Sequence, residues 1–136
     1  MTDESTPETA FDHAGIATTD ADALTTQYSH LFGCEEVHRE TFNGMTVVFL
    51  DFGNGFFELL EPQDDDGTIA TYLERNGNGI HHLAVETTDI ERSLEIATAA
   101  GVDCIDEEPR PGAWGHEVAF LHPKSTGGIL LEFVEH

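Results

Sequence analysis

The sequence predicts an α+β fold: two tandem βαβββ modules that together make a half-open, eight-stranded, barrel-like sheet. Three observations predict it. One segment recurs at a fixed offset. An amphipathic helical stretch follows each copy. Each copy closes on a pair of apolar strands, the last with a single acid in its middle. His13-Ala-Gly-Ile-Ala-Thr-Thr-Asp20 matches His82-Leu-Ala-Val-Glu-Thr-Thr-Asp89 at a constant offset of 69 residues, with His, Thr, Thr and Asp identical. Two copies of so long a period exclude a solenoid.

The elements follow in order. Residues 1–10 are acidic and polar and read as a disordered leader. Module one spans 11–62. Alternation along its first strand puts His13, Gly15 and Ala17 on one face. A helix follows, with Leu24, Tyr28 and Leu31 on its apolar side, Thr19 or Asp20 as N-cap and Gly33 as the left-handed end. Val47-Val-Phe-Leu50 and Phe56-Phe-Glu-Leu-Leu60 are strands joined through the Asp51–Gly55 turn. A linker helix is expected over 68–77, with Thr68 as its cap and Gly77-Asn-Gly79 ending it. Module two, 79–136, repeats the plan. His82, Ala84 and Glu86 share a strand face, and Ile90, Leu94 and Ala97 form a helical stripe behind Thr88/Asp89, with Gly101 closing. Val118-Ala-Phe-Leu121 and Ile129-Leu-Leu-Glu-Phe133 flank the His122–Gly128 turn.

Charge bounds the function. Twenty-seven acidic residues against five basic ones give a formal net charge of −22. Such a chain repels phosphate backbones, which excludes nucleic-acid binding. The acids are spread along the chain, a pattern suited to concentrated salt, where cations screen the repulsion. No stretch is long and apolar enough to span a membrane. The N-terminus lacks a signal-peptide pattern, so a cytoplasmic protein with Cys34 and Cys104 reduced is expected.

His13 and His82 are equivalent by the repeat, and Glu58 and Glu132 are the acids of the equivalent final strands. Each acid lies among large apolar residues, where an unpaired carboxylate is costly. Two imidazoles and two carboxylates at symmetric places point to one divalent metal site, of a kind suited to Co, Ni, Zn, Mn or Fe(II) rather than Ca or Mg. His81 faces the other way and reads as structural. His30, His38 and His136 read as surface residues, and His116 and His122 as structural members of the C-terminal region that could approach the site.

Further stretches carry a resemblance. They are Phe57-Glu-Leu-Leu-Glu-Pro62, Gly79-Ile-His-His-Leu-Ala84, Glu108-Pro-Arg-Pro-Gly-Ala-Trp-Gly115, and Val118-Ala-Phe-Leu-His-Pro-Lys-Ser-Thr-Gly-Gly-Ile-Leu-Leu-Glu132. The chain from Phe11 to Glu135 resembles the methylmalonyl-CoA epimerases of the vicinal-oxygen-chelate, glyoxalase-like superfamily. The resemblance implies metal ligation by His13, Glu58, His82 and Glu132, with Co(II) first and Zn, Mn or Ni as substitutes. It implies interconversion of the (R) and (S) epimers of methylmalonyl-CoA by α-proton abstraction through a metal-stabilised enolate.

Inversion needs proton transfer on both faces of one carbon. Glu132 is the first candidate acid/base group. The place of a second Glu in some family members is taken here by Val47. Glu58, metal-bound water or His116 are the stand-ins. Arg110, Lys124 and Ser125 are the candidates for contact with the CoA thioester. A homodimer is expected, because half-open sheets leave edges to cover. The competing readings are a glyoxalase I-type lactoylglutathione lyase, an extradiol dioxygenase, disfavoured by the extra Glu58, and a metal-free small-molecule-binding module of the same fold.

Overall fold

A computed structural model describes residues 6–136. Contacts divide the chain into two compact units. One is His13–His81; the other joins the residues through Asp12 to His82–His136. The first five residues of the expected leader lie outside the described residues. Its end, however, is structured: β1 spans Thr9–Ala17. The Glu8 N–H donates to Thr88 Oγ1 and the Thr88 N–H donates back to the Glu8 carbonyl, tying this stretch into the second unit.

In the His13–His81 unit, β1 leads into α1 (Ala21–Phe32), β2 (Glu35–Phe42), β3 (Met45–Asp51), β4 (Phe56–Pro62) and α2 (Thr68–Asn76). The sheet order is β2-β3-β4-β1, antiparallel except for the parallel β4–β1 pair. Asp20 caps α1, accepting from the Ala23 N–H, and Gly33 closes it at φ 71°. Ile16, Ala21, Cys34, Val48, Leu50 and Leu59 form the core with Leu24 and Tyr28 of α1. The expected helical stripe stops there, since Leu31 is 59% exposed. Thr68 is the first residue of α2 rather than its cap. Gly67 holds the cap position at φ 101°, with no side-chain bond.

The second unit repeats the plan. β5 (Gly79–Thr87) enters it at His82, followed by α3 (Ile90–Ala99), the two-residue β6 (Arg110–Pro111), β7 (Glu117–Leu121) and β8 (Leu131–Glu135). Its order is β5-β8-β7-β6, again with one parallel pair, β5–β8. Asp89 caps α3 through the Arg92 N–H. Ile90, Leu94 and Ala97 pack on Ala119, Leu121, Leu131 and Phe133. The expected strand start at Ile129 moves to Leu131. Left-handed Gly127 and Gly128, the Gly128 N–H to Pro123 carbonyl bond and the Thr126 hydroxyl to Ile129 carbonyl bond extend the preceding turn. Ile129 is left 49% exposed.

The fold class is therefore α+β, with the duplication visible in the strand register. Gly15 pairs with Glu58, and Ala84, its repeat equivalent, pairs with Glu132. In each unit one sheet face takes the helix, and alternation sends the His and the acid to the other. No helix among the described residues is long and apolar enough to cross a membrane.

Candidate metal centre

Each unit builds the same half-site. A histidine two residues before the small residue of the first strand lies diagonally beside the acid of the last strand. Gly15 and Ala84 leave room for the carboxylate they face. His13 Nε2 is 3.3 Å from Glu58 Oε1, and His82 Nε2 is 3.6 Å from Glu132 Oε1. All four residues are buried, none more than 7% exposed. Ionised hydrogen-bonded pairs close to about 2.7–2.9 Å. Nitrogen and oxygen donors placed about 2.1 Å from one ion at 90–110° stand about 3.0–3.4 Å apart. The His13–Glu58 pair has co-ligand spacing and the His82–Glu132 pair stands just beyond it, and two buried carboxylates without a cation would be electrostatically expensive. The donor set thus fits a divalent transition ion.

An aromatic ring braces each histidine. Phe49 meets His13 edge-on at 5.8 Å, and Phe120 meets His82 edge-on at 5.4 Å. The same two phenylalanines sit opposite the acids in register, Phe49 with Glu58 and Phe120 with Glu132. Sequence reasoning passed over them, although they occupy matching places in Val47–Leu50 and Val118–Leu121.

The other candidates divide. Arg110 donates to Asp106 Oδ1 at 3.0 Å and lies over the Phe120 ring at 5.4 Å, so it stands beside the His82–Glu132 half-site. Lys124 and Ser125 engage Asp103 instead, through a 3.2 Å ion pair and a bond from the Asp103 N–H to Ser125 Oγ. No contact described here brings them to either half-site. His81 packs on Tyr72, as a structural residue does. His122 accepts from the Lys124 N–H in the turn. His136 and His116, by contrast, belong to a polar cluster. His136 Nε2 hydrogen-bonds to buried Asp12 and lies 3.1 Å from Glu86 Oε2, and the His116 ring is 4.0 Å from the His136 ring. His38 also has a function in the fold, bonding Glu40 Oε2 at 2.6 Å. The His38–Glu40 pair joins i,i+2 neighbours on β2, whereas the His136 contact with Asp12 depends on which strands adjoin and leaves no spacing signature.

A sheet face carrying duplicated His–Glu pairs, one per βαβββ unit, is the mark of a metal-binding superfamily. The chain belongs to the Glyoxalase/Bleomycin resistance protein/Dioxygenase superfamily, whose sequence profile matches residues 12–120. Within it, the chain is 37% identical to the mitochondrial methylmalonyl-CoA epimerase of Dictyostelium discoideum, over 90% of this chain and 76% of that one. It is 38% identical to the ethylmalonyl-CoA/methylmalonyl-CoA epimerase of Cereibacter sphaeroides, over 88% and 92% of the two chains. Among solved structures, a methylmalonyl-CoA epimerase in complex with methylmalonyl-CoA and NH4+ superimposes with a TM-score of 0.86. It has 36% sequence identity and covers 93% of this chain and 94% of that one.

Proposed function

We infer that this chain is a methylmalonyl-CoA epimerase, a metal-dependent isomerase that interconverts the (R) and (S) forms of its substrate. The observation that carries the reading is the duplicated pair of buried His–Glu half-sites in a chain whose relatives are named for that activity. His13, Glu58, His82 and Glu132 hold the ion, and Co(II) is the first choice, with Zn(II), Mn(II) or Ni(II) as substitutes. When bound, such an ion supplies electrostatic stabilisation of the negative charge that builds up beside the thioester and carboxylate.

The chain's own residues do the rest. The substrate's α-carbon lies between a thioester and a carboxylate, so its proton is weakly acidic. Glu132 takes or returns that proton on one face. Glu58 offers its carboxylate as the oxygen donor beside His13 in the first half-site. Arg110, placed over the Phe120 ring, offers a guanidinium to the substrate's carboxylate or phosphates. Lys124 and Ser125 serve the CoA part at the turn that follows β7. The apolar rings of Phe49 and Phe120 exclude water and hold the imidazoles in one orientation.

The chain works in a salt-rich cytoplasm, where a net charge of −22 is screened and the free thiols Cys34 and Cys104 stay reduced. It pairs as a homodimer that covers the open outer edges of β2 and β6. One experiment tests the core of this reading. A single methylmalonyl-CoA epimer is incubated with the enzyme in high KCl, with chelator and with Co(II) added back. Racemisation that stops on chelation and returns with Co(II) is expected. An enzyme inert towards both epimers under all conditions overturns the assignment.

A further inference from the structure

The His82–Glu132 half-site lies in a chain with 27 acids and five basic residues, so an anionic substrate needs a cation held firmly in place. Three Lys or Arg side chains belong to the unit of His82–His136: Arg92, Arg110 and Lys124. Arg92 bonds Glu95 on α3. That helix packs on Ala119, Leu121, Leu131 and Phe133, which alternate along β7 and β8 with Phe120 and Glu132 and so face the other way. Lys124 pairs with Asp103. Arg110, by contrast, lies over Phe120, whose ring meets His82 edge-on and whose cross-strand neighbour is Glu132.

Asp106 keeps it there, and its two oxygens have separate tasks. Oδ1 accepts from Arg110 Nε–H at 3.0 Å, and Oδ2 accepts from the Phe120 N–H at 2.9 Å. The backbone of the same segment grips the same residue, with the Ile105 and Asp106 N–H groups both donating to the Phe120 carbonyl. One carboxylate therefore ties the guanidinium to the residue whose ring it covers. The Asp106 side chain is 17% exposed against 45% for Arg110, so the bracket is shielded while the guanidinium is open to a ligand. The bond uses Nε and leaves both Nη groups for a second anion, a two-donor arrangement that suits a carboxylate. Lysine has no such division of donors. Without the bracket, exposed Glu107, Glu108 and Glu117, close by in sequence or register, would compete for the charge.

We propose that Asp106 is a positioning residue acting through Arg110, and that the anion Arg110 takes is the free carboxylate of a malonyl-type thioester. The inference rests on the epimerase reading and deepens it. The CoA phosphates are separated from the reacting carbon by the whole pantetheine arm, whereas Arg110 stands one ring away from the half-site. A carboxylate fixed there also restrains the α-carbon that bears it.

The test measures binding rather than turnover. Co(II)-loaded protein is titrated by calorimetry with racemic methylmalonyl-CoA and with propionyl-CoA, which has the same CoA and lacks the free carboxylate. Wild type should prefer methylmalonyl-CoA. Arg110→Ala should cut that preference by about 10-fold or more. Asp106→Asn should cut it by about 5-fold or more, with propionyl-CoA affinity in both variants within about twofold of wild type. Arg110→Lys keeps the charge without an Nε to bracket, and should lose preference as Asp106→Asn does. In an Arg110→Ala background, Asp106→Asn should change the preference no further, which a merely structural role would not produce. Equal weakening of both thioesters in Arg110→Ala would put the guanidinium on the CoA phosphates and overturn the proposal. So would wild-type preference in Asp106→Asn or Arg110→Lys, or an Asp106→Asn effect as large in the Arg110→Ala background as alone. Wild type that binds both thioesters alike overturns the proposal and leaves the epimerase reading to its own turnover assay. Wild type that binds neither rejects that reading, and this inference with it.

Discussion

His13 Nε2 lies 3.3 Å from Glu58 Oε1, both buried, on the face of the β1–β4 pair that α1 does not cover. The separation is too long for a tight ion pair and matches two donors of one ion. Glu58→Ala should therefore lose metal on dialysis under conditions where wild type keeps it, and epimerisation should fall by roughly 100-fold or more. Glu58→Gln keeps one oxygen donor and should fall between the two. Metal analysis after gel filtration provides the check. A Glu58→Ala protein retaining the wild-type metal content would show that Glu58 is not a ligand.

The helix caps make a cleaner stability test, because they sit away from the chemistry. Asp20 accepts from the Ala23 N–H and Asp89 from the Arg92 N–H, each at 3.0 Å. Asp20→Ala and Asp89→Ala should each destabilise by about 1 kcal/mol in urea titrations, while the activity of the folded protein is preserved. Asn at either position should retain most of the stability.

Gly112 precedes the short turn between β6 and β7. A β-carbon built there would stand 2.6 Å from Val118 Cγ1, inside van der Waals contact with a stiff, buried side chain. Gly112→Ala should cost about 1–3 kcal/mol by overpacking. A Val118→Ala second substitution should recover part of it. Thermal melts of the single and double variants measure the coupling directly, and simple additivity would count against the clash.

Glu36 receives two bonds from the Arg39 guanidinium, which also pairs with Asp22 at 2.8 Å. The Arg39 hydrogen bonds hold the Glu36 carboxyl below the usual glutamate range, and Glu36 and Asp22 together hold Arg39 above its own. A depressed carboxylate stabilises the fold above the pKa it has when unfolded and loses that contribution as pH falls through the folded value. The gap between wild type and Glu36→Gln should therefore be visible at about pH 7 and smaller at about pH 4, below the ordinary glutamate value. It should be small throughout and shrink in salt, because the pair is more than a third exposed. Urea midpoints at the two pH values settle the sign.

The duplicated His and Glu were legible in the sequence because duplication converts a three-dimensional equivalence into a constant spacing. His13/His82 and the caps Asp20/Asp89 share one offset, and the acids recur in the same apolar setting. Pairings across strands were not legible. Whether Arg110 meets Phe120 or His136 meets Asp12 turns on register and on which strands adjoin, and neither is written in local periodicity. The start of β8 was placed two residues early for a related reason. Ile129 and Leu130 are apolar enough for a strand, but the Ile129 carbonyl is taken by the Thr126 hydroxyl of the glycine turn, and Leu130 only begins the contact with β5 through its carbonyl and the Leu83 N–H. Glu8 and Thr9 read as leader because their hydrogen-bonding partners, around Thr88, lie a whole module away.

The parallel pairing of first and last strands within each module also has a kinetic side. Gly15 meets Glu58, and Ala84 meets Glu132, only after the helix and the intervening strands have been laid down. These are the highest-separation contacts each module makes, and such contacts form late in folding. A His–Glu pair able to grip an ion therefore exists only in a module that has closed. Metal uptake then reports the end of folding rather than guiding its beginning, and a chain stalled partway offers the ion only isolated donors with no chelating geometry.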